Sequence, residues 1–157
     1  MWDREQLFAV FKLELKQLGF SKRASTWHLV FDEVIQIVNL QKSSWSEDDH
    51  YLNIALYLRS LGDERKPKVS LGQIHGRTAE IFDPPVSTAV EETLRVNDKR
   101  NSSLHSEEVL IAFFRGPFVD FSQKYRSQDT IRDSIVRGEL PRIRIYSSAR
   151  RVLGLMD

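Results

Sequence analysis

The strongest constraint on the fold is the alternation of apolar and polar side chains between Thr26 and Leu58. Successive side chains of a β-strand point to opposite sides of the sheet, so a period of two predicts strands with one apolar and one polar face. The alternation is interrupted at Asp32-Glu33 and in the polar stretch 43–49. We therefore predict three antiparallel strands, at residues 25–31, 34–42 and 50–58.

The pairing of residues at the two turns decides which side chains share a face. We take Phe31 to oppose Val34 and Lys42 to oppose His50. The apolar face then carries a single polar residue, Gln36, among Trp27, Leu29, Phe31, Val34, Val38, Leu40, Leu52, Ile54, Leu56 and Leu58. The opposite face carries Thr26, His28, Val30, Ile35, Ile37, Asn39, Gln41, Tyr51, Asn53, Ala55 and Tyr57. A slip of one residue would turn asparagine and glutamine side chains into the core, so this register is strongly favoured.

Most of the remaining chain has a helical pattern. A first helix is predicted from a cap at Asp3, with Gln6 three residues later, to Gly19. A fourth strand is predicted within residues 73–82, after an exposed charged loop at 62–68. Further helices are predicted at about residues 88–97, 107–114, 130–138 and 145–153.

Composition narrows the class of protein. With 157 residues, of which 41% are hydrophobic, the chain is long enough for one well-packed core. We predict a single α+β domain over residues 1–157, in which an antiparallel four-stranded sheet is packed on one face by the N-terminal helix and the C-terminal helices. The formal net charge of +1 creates no overall field toward nucleic acid or an anionic membrane.

The cellular location is predicted from what the sequence lacks. There is no cysteine, which excludes disulfides, thiolate zinc sites and cysteine nucleophiles. No signal-peptide pattern is present, and no apolar run approaches the roughly 20 residues needed to cross a bilayer. We therefore predict a cytoplasmic protein with no membrane segment.

The polar face is the candidate binding surface. Asn39 and Asn53 should oppose each other on neighbouring strands, where Cβ atoms lie about 4.5–5.5 Å apart. If the fourth strand presents His75 and Arg77 to the same side, Arg77 adds a fork able to bind a carboxylate or phosphate. Two alternatives stay open: the face is a solvated or covered surface, or Arg77 forms a structural salt bridge with Glu80. The candidate ligand- or partner-binding residues are His28, Asn39, Gln41, Tyr51, Asn53, Tyr57, His75 and Arg77.

No motif predicts a reaction. The segment 72–78 lacks the spacing and the lysine of a phosphate-binding loop, and the four histidines are too dispersed to predict a metal site. We predict no catalytic residue, no metal and no cofactor. The competing interpretation is a small hydrolase or transferase, in which His28 or His75 acts as acid or base on an anionic substrate held by Arg77.

The C-terminal part of the chain offers two weaker contact signals. Four arginines could form a patch for an acidic partner or for RNA phosphates: Arg142, Arg144, Arg150 and Arg151. Without interleaved exposed aromatic residues, a solvated helix face is the favoured interpretation and nucleic-acid binding is not. Phe113 and Phe114 cannot both face one helix seam, so one of them indicates an oligomer or partner contact.

The run from Val34 to Ser43, followed by Trp45-Ser46, is the most specific of several motifs in the chain. Together these motifs resemble the bacterial domain-of-unknown-function family numbered 4304. The resemblance implies an α+β fold and no established reaction, and it suggests bacterial partner-binding proteins, including toxin-neutralising immunity proteins. Together with the polar face it favours a non-enzymatic binding module with a protein partner. The other matching residues are Leu18-Gly19-Phe20, Lys22-Arg23, Asn53, Arg77, Ala149 and Leu153-Gly154.

Overall fold

The computed structural model describes residues 1–155 and has an α+β architecture with one antiparallel sheet. The strands follow one another in the sheet in chain order: β1 (Ser21–Arg23), β2 (Thr26–Val30), β3 (Val34–Lys42), β4 (His50–Leu58), β5 (Ile74–Arg77) and β6 (Arg144–Ile145). The helices are α1 (Arg4–Gln17), α2 (Thr78–Ile81), α3 (Val86–Thr93), α4 (Ser103–Phe113), α5 (Val119–Lys124), α6 (Gln128–Val136) and α7 (Ser147–Val152). None of the helices in this part of the chain is long and apolar enough to span a membrane.

The three central strands confirm the predicted register. Asn39 pairs with Asn53, Lys42 pairs with His50, and the Phe31 amide donates to the Val34 carbonyl at 2.8 Å. The first helix is confirmed as well, because Asp3 and Gln6 form the expected reciprocal cap. Both predictions rest on patterns that recur over many residues.

The sheet has six strands where four were predicted. The two additional strands lie at its edges: β1 pairs with the start of β2, and β6 pairs with Ile74 and His75 of β5. With three and two residues they are too short for an alternating pattern to reveal them.

Only the first half of the predicted fourth strand is a strand in the structure. Pairing ends at Arg77, and the next four residues form α2. The Glu80 carboxylate accepts a hydrogen bond of 2.9 Å from the backbone N–H of Arg77, which caps this turn of helix. Ala79 and Ile81, which a strand continuing to residue 82 would place on the same face as Arg77, therefore lie outside the sheet.

The apolar face of the sheet packs against α1 and the C-terminal helices. Gln36, the polar residue on that face, is only 2% exposed. Its amide nitrogen donates to the backbone carbonyls of Ser122 and Tyr125 at 2.8 and 2.9 Å, and its oxygen accepts the Ser122 hydroxyl at 2.6 Å. A buried polar side chain is thus fully paired with the C-terminal end of α5.

The aromatic residues at the end of α4 are all internal. Phe113 and Phe114 are both buried, so the prediction that one of them marks an outer contact was wrong. The helix changes to a π-helical turn over Phe114–Phe118, which includes Pro117. Such a turn changes the angular spacing of side chains, so that neighbouring phenylalanines both reach the core.

Part of the polar face is covered by residues 59–73, here called the covering segment. The predicted exposed loop at 62–68 lies within it, and of that loop Pro67 is buried. Beneath the covering segment lies a second small core, packed against Val69 and formed by Ile35, Ile37, Ala55 and Tyr57. Gly72 allows the close approach, since a Cβ there would lie 2.4 Å from that of Ala55.

Candidate functional site

The uncovered part of the polar face is a continuous row of polar side chains across β2 to β5. Cross-strand pairing brings them together in the order Thr26, Asn39, Asn53 and Arg77. Gln41 and Tyr51 form the next pair toward the β3–β4 turn. We call this surface the amide patch, and it consists of Thr26, Asn39, Gln41, Tyr51, Asn53 and Arg77.

Hydrogen bonds link the carboxamides of the amide patch into a ladder. The Asn39 side-chain nitrogen donates to the Ser25 carbonyl at 3.4 Å and to the Thr26 hydroxyl at 3.0 Å. The Asn53 side-chain nitrogen donates to Asn39 Oδ1 at 3.0 Å and to Gln41 Oε1 at 2.9 Å. Both asparagines therefore use their donors inside the protein.

Arg77 ends this ladder and is held on two sides. Its Nε donates to Asn53 Oδ1 at 3.4 Å, and its guanidinium carbon lies 3.9 Å from the centre of the Tyr51 ring. Among residues 1–155, no carboxylate lies within ion-pair distance of this guanidinium. The salt bridge considered as an alternative is not formed there, because Glu80 accepts from the Arg77 backbone and pairs at 3.4 Å with Arg144.

The ladder leaves donors, and not acceptors, facing outward. The Ser25 carbonyl can only accept and Arg77 Nε can only donate, so the orientation of the amides between them is determined from both ends. Within the amide patch, the polar groups without a hydrogen-bond partner in the described part of the chain are the Gln41 amide nitrogen, the terminal nitrogens of Arg77 and the Tyr51 hydroxyl, and each of them can donate. The amide patch is therefore complementary to acceptors, above all to a carboxylate or phosphate.

Two open clefts meet at Arg77. One, of about 270 Å³, lies toward the covering segment and includes Val69, His75 and Arg144. The other, of about 450 Å³, lies beyond the end of β5 and is lined by acidic and basic side chains in equal number: Asp49, Glu80, Glu91, Arg77, Arg95 and Arg144. Because Arg77 borders both clefts, an anionic group can approach it from either side.

Two of the predicted site residues lie beneath the covering segment. His28 is 4% exposed, and its Nε2 donates to the Pro67 carbonyl at 2.7 Å. Tyr57 is also buried, and its hydroxyl accepts from the Glu64 backbone N–H at 3.3 Å. Both residues hold the covering segment in place and are separated from the open amide patch.

His75 lies in the smaller cleft, on the same face of the sheet as Arg77. Its ring is half-buried and meets the Tyr146 ring edge-on, with 5.2 Å between ring centres. Burial lowers the pKa of His75, and the positive charge of Arg144 acts in the same direction. The imidazole is therefore largely neutral at pH 7, and the positive charge of the cleft comes from its arginines.

The sequence did not indicate that Arg144 belongs to this region. It was placed in a C-terminal basic patch, whereas β6 brings it beside β5 and Glu80. A strand of two residues carries no signal that could have found this pairing. As for metals, no cluster of three or more His, Asp or Glu side chains suited to an ion occurs within residues 1–155.

Comparison with models of protein families identifies a relationship. A family model described as "Domain of unknown function (DUF4304)" matches residues 11–110, which is more than half of the chain and contains the whole amide patch. No curated protein and no solved structure matches the chain significantly.

Proposed function

Since the chain belongs to the DUF4304 family, whose description states no activity, we propose a function from the geometry of the site. The protein is a non-enzymatic binding module, and its amide patch holds a protein partner. An acidic group of the partner binds to Arg77, while neighbouring acceptors pair with the Gln41 amide. The observation that carries the proposal is the held guanidinium of Arg77, which has no carboxylate beside it in the described structure.

The placement of Arg77 reduces the entropic cost of binding. A free arginine loses about 2 kcal/mol of rotamer freedom when it is fixed. Here Asn53 and Tyr51 already position the guanidinium, so less of that freedom remains to be lost when a ligand binds. The terminal nitrogens keep their fork geometry, which matches the two oxygens of a carboxylate.

The histidines offer little support for the hydrolase or transferase alternative. His28 is bonded beneath Pro67, and His75, although it lines the smaller cleft with Arg77, has no hydrogen bond to Arg77 or Tyr57 in the described structure. A general base needs direct or water-mediated contact with the proton that it removes. The proposal includes an immunity role as one form, in which the bound protein is a toxin, as the family resemblance suggests.

The experiment compares partner capture by variants of the immobilised protein. Extract from cells that naturally produce the protein is passed over wild type, Arg77→Ala, the double variant Asn39→Ala/Asn53→Ala, and the control Arg132→Ala. Arg132 is an exposed arginine on α6, remote from the amide patch. Bound proteins are quantified by mass spectrometry, and the affinity of the purified partner is then measured by calorimetry.

Arg77→Ala should weaken binding about 10- to 150-fold, since a hydrogen bond to a charged group contributes about 1.5–3 kcal/mol. The double variant should also bind more weakly, because the ladder that orients Arg77 is lost, while Arg132→Ala should bind like wild type. Unchanged affinity of Arg77→Ala rejects the proposal. If the double variant is already unfolded without urea, the view that these asparagines serve binding and not stability is rejected.

A further inference from the structure

Trp45 is the most exposed large apolar side chain described, with 93% of its surface accessible. It lies in the turn between β3 and β4. The turn is held by hydrogen bonds, since the Trp45 backbone N–H donates to the Ser43 hydroxyl at 3.1 Å and the Ser43 N–H donates to the Asp49 carbonyl at 2.9 Å. The Asp48 carbonyl is in turn fixed by the Val96 N–H at 2.9 Å. The indole thus projects from a turn with defined backbone contacts.

The turn is next to the amide patch. Gln41 and Tyr51 form the second-to-last pair of β3 and β4 before this turn, so the open polar surface and the indole lie at the same end of the sheet. The turn is also acidic, because residues 43–49 contain Glu47, Asp48 and Asp49 and no basic residue. The nearest ion pair, from Lys42 to Glu47, is loose at 4.0 Å.

We propose that Trp45 is the apolar anchor of a protein–protein interface that continues from the amide patch. This inference rests on the proposed function and specifies the partner: a folded protein with an apolar pocket for the indole and basic residues around that pocket. Tryptophan is strongly enriched among residues that dominate binding energy, and these residues lie in desolvated pockets. Basic groups around the pocket complement Glu47 and Asp48 of the turn, whereas Asp49 lines the larger cleft at Arg77.

The charges around Arg77 and Trp45 require a partner whose contact surface is acidic at one end and basic at the other. An acid on the partner faces Arg77, and bases on the partner face Glu47 and its neighbours. Such a pattern favours one orientation of docking and penalises the reverse. It also disfavours an anionic membrane as the occupant, since an acidic turn is repelled by anionic lipids.

The test extends the capture experiment to three more variants. Trp45→Ala removes the anchor, Glu47→Lys reverses a charge on a side chain that is 92% exposed, and Leu104→Ala removes an exposed apolar side chain on α4 as the control. All three positions lie at the surface, and equal urea midpoints verify that folding is unchanged. Affinities for the purified captured partner are measured by calorimetry at low and high salt.

Trp45→Ala should weaken binding by at least about 30-fold, the loss that defines a dominant interface residue. Glu47→Lys should weaken binding more at low salt than at high salt, and Leu104→Ala should have no effect. In protein labelled with 5-fluorotryptophan, partner addition should shift the ¹⁹F signal of Trp45. The signals of the buried Trp2 and Trp27 should stay in place.

Several results would overturn the inference. Wild-type affinity of Trp45→Ala does so, as does a capture experiment in which no bound protein depends on Trp45. If the wild type forms concentration-dependent dimers in sedimentation velocity and Trp45→Ala abolishes them, the indole contacts a second copy of this chain and the proposal is wrong. If only Trp45→Ala retains binding, the proposed function stands without this anchor; if only Arg77→Ala retains it, the anchor stands and the proposed role of Arg77 fails.

Discussion

Replacing Gln36 by leucine should destabilise the fold, although leucine suits the apolar face and has a similar size. The Gln36 amide is the donor to the Tyr125 carbonyl at 2.9 Å, and its oxygen accepts the Ser122 hydroxyl at 2.6 Å. The Ser122 carbonyl keeps a second donor, Arg126 Nε, at 3.1 Å. The substitution therefore leaves one buried carbonyl and one buried hydroxyl without their partner.

The expected cost follows from these two groups. A buried carbonyl without a donor costs about 1–3 kcal/mol, and the lost bond of the Ser122 hydroxyl adds about 1 kcal/mol. We expect Gln36→Leu to lower the free energy of unfolding by about 2–4 kcal/mol. Ser122→Ala alone should cost less, because it leaves the two backbone bonds of Gln36 in place.

Urea unfolding followed by circular dichroism measures this difference, with equal m-values as the condition for the comparison. The double variant Gln36→Leu/Ser122→Ala should be about 1 kcal/mol more stable than the sum of the single changes implies, because it removes both members of one bond. A change of less than about 0.5 kcal/mol for Gln36→Leu would refute the reasoning. Strict additivity of the two variants would refute the proposed coupling.

Two further predictions concern stability. Hydrogen bonds from Lys124, the larger cause, and from Arg137 hold the pKa of Glu139 at about 2, below its ordinary 4.5. The ionised Glu139 therefore stabilises the fold fully above pH 4.5, and this stabilisation is lost as the pH falls toward about 2. The difference in urea midpoint between wild type and Glu139→Gln should shrink across that interval, and a constant difference would contradict the assignment. Gly72→Ala should cost about 1–3 kcal/mol, because its Cβ would lie 2.4 Å from that of Ala55, whereas a Cβ at Gly116 meets nothing within 4 Å. Equal destabilisation by Gly72→Ala and Gly116→Ala in urea would exclude this steric cause.

The central part of the sheet could be predicted because its signal is long and redundant. β3 and β4 each have nine residues, so a wrong register would misplace many side chains at once. The end of β5 could not be predicted in the same way. Thr78 to Ile81 alternate as a strand would, and the choice of helix depends on the cap that Glu80 provides to Arg77.

The covering segment was not predicted, although one feature of the sequence indicates that this part of the sheet is covered. Ile35, Ile37, Ala55 and Tyr57 lie together toward the β2–β3 turn on a face otherwise rich in polar groups, and such a cluster requires a cover. Within the cover, residues 62–68 are mostly charged, so their composition indicates an exposed loop. Residues 63–66 and Lys68 are indeed exposed, and the placement of the segment over the sheet is decided by the apolar surface beneath it.

For the candidate site, strand parity was sufficient to group Asn39 and Asn53 on one face. The side on which Arg77 lies stayed open, because the sequence did not give the pairing of the fourth strand, which aligns Arg77 with Asn53. Strand parity also could not provide the direction of the hydrogen bonds, which depends on Ser25 at one end and Arg77 at the other. Nor could it provide the contact between Arg77 and Tyr51, which lie diagonally across β4 and β5. These details determine that the surface offers donors.

The short outer strands limit how other chains can attach to the sheet. A foreign strand, or a second molecule in a concentrated solution, extends a sheet by pairing with a long row of free backbone groups at its edge. β1 offers only Ser21–Arg23, two of whose three side chains are cationic, and β6 offers only Arg144–Ile145. The short edges therefore protect the protein against edge-to-edge aggregation, and the recognition proposed above uses side chains on the face of the sheet and in its turns.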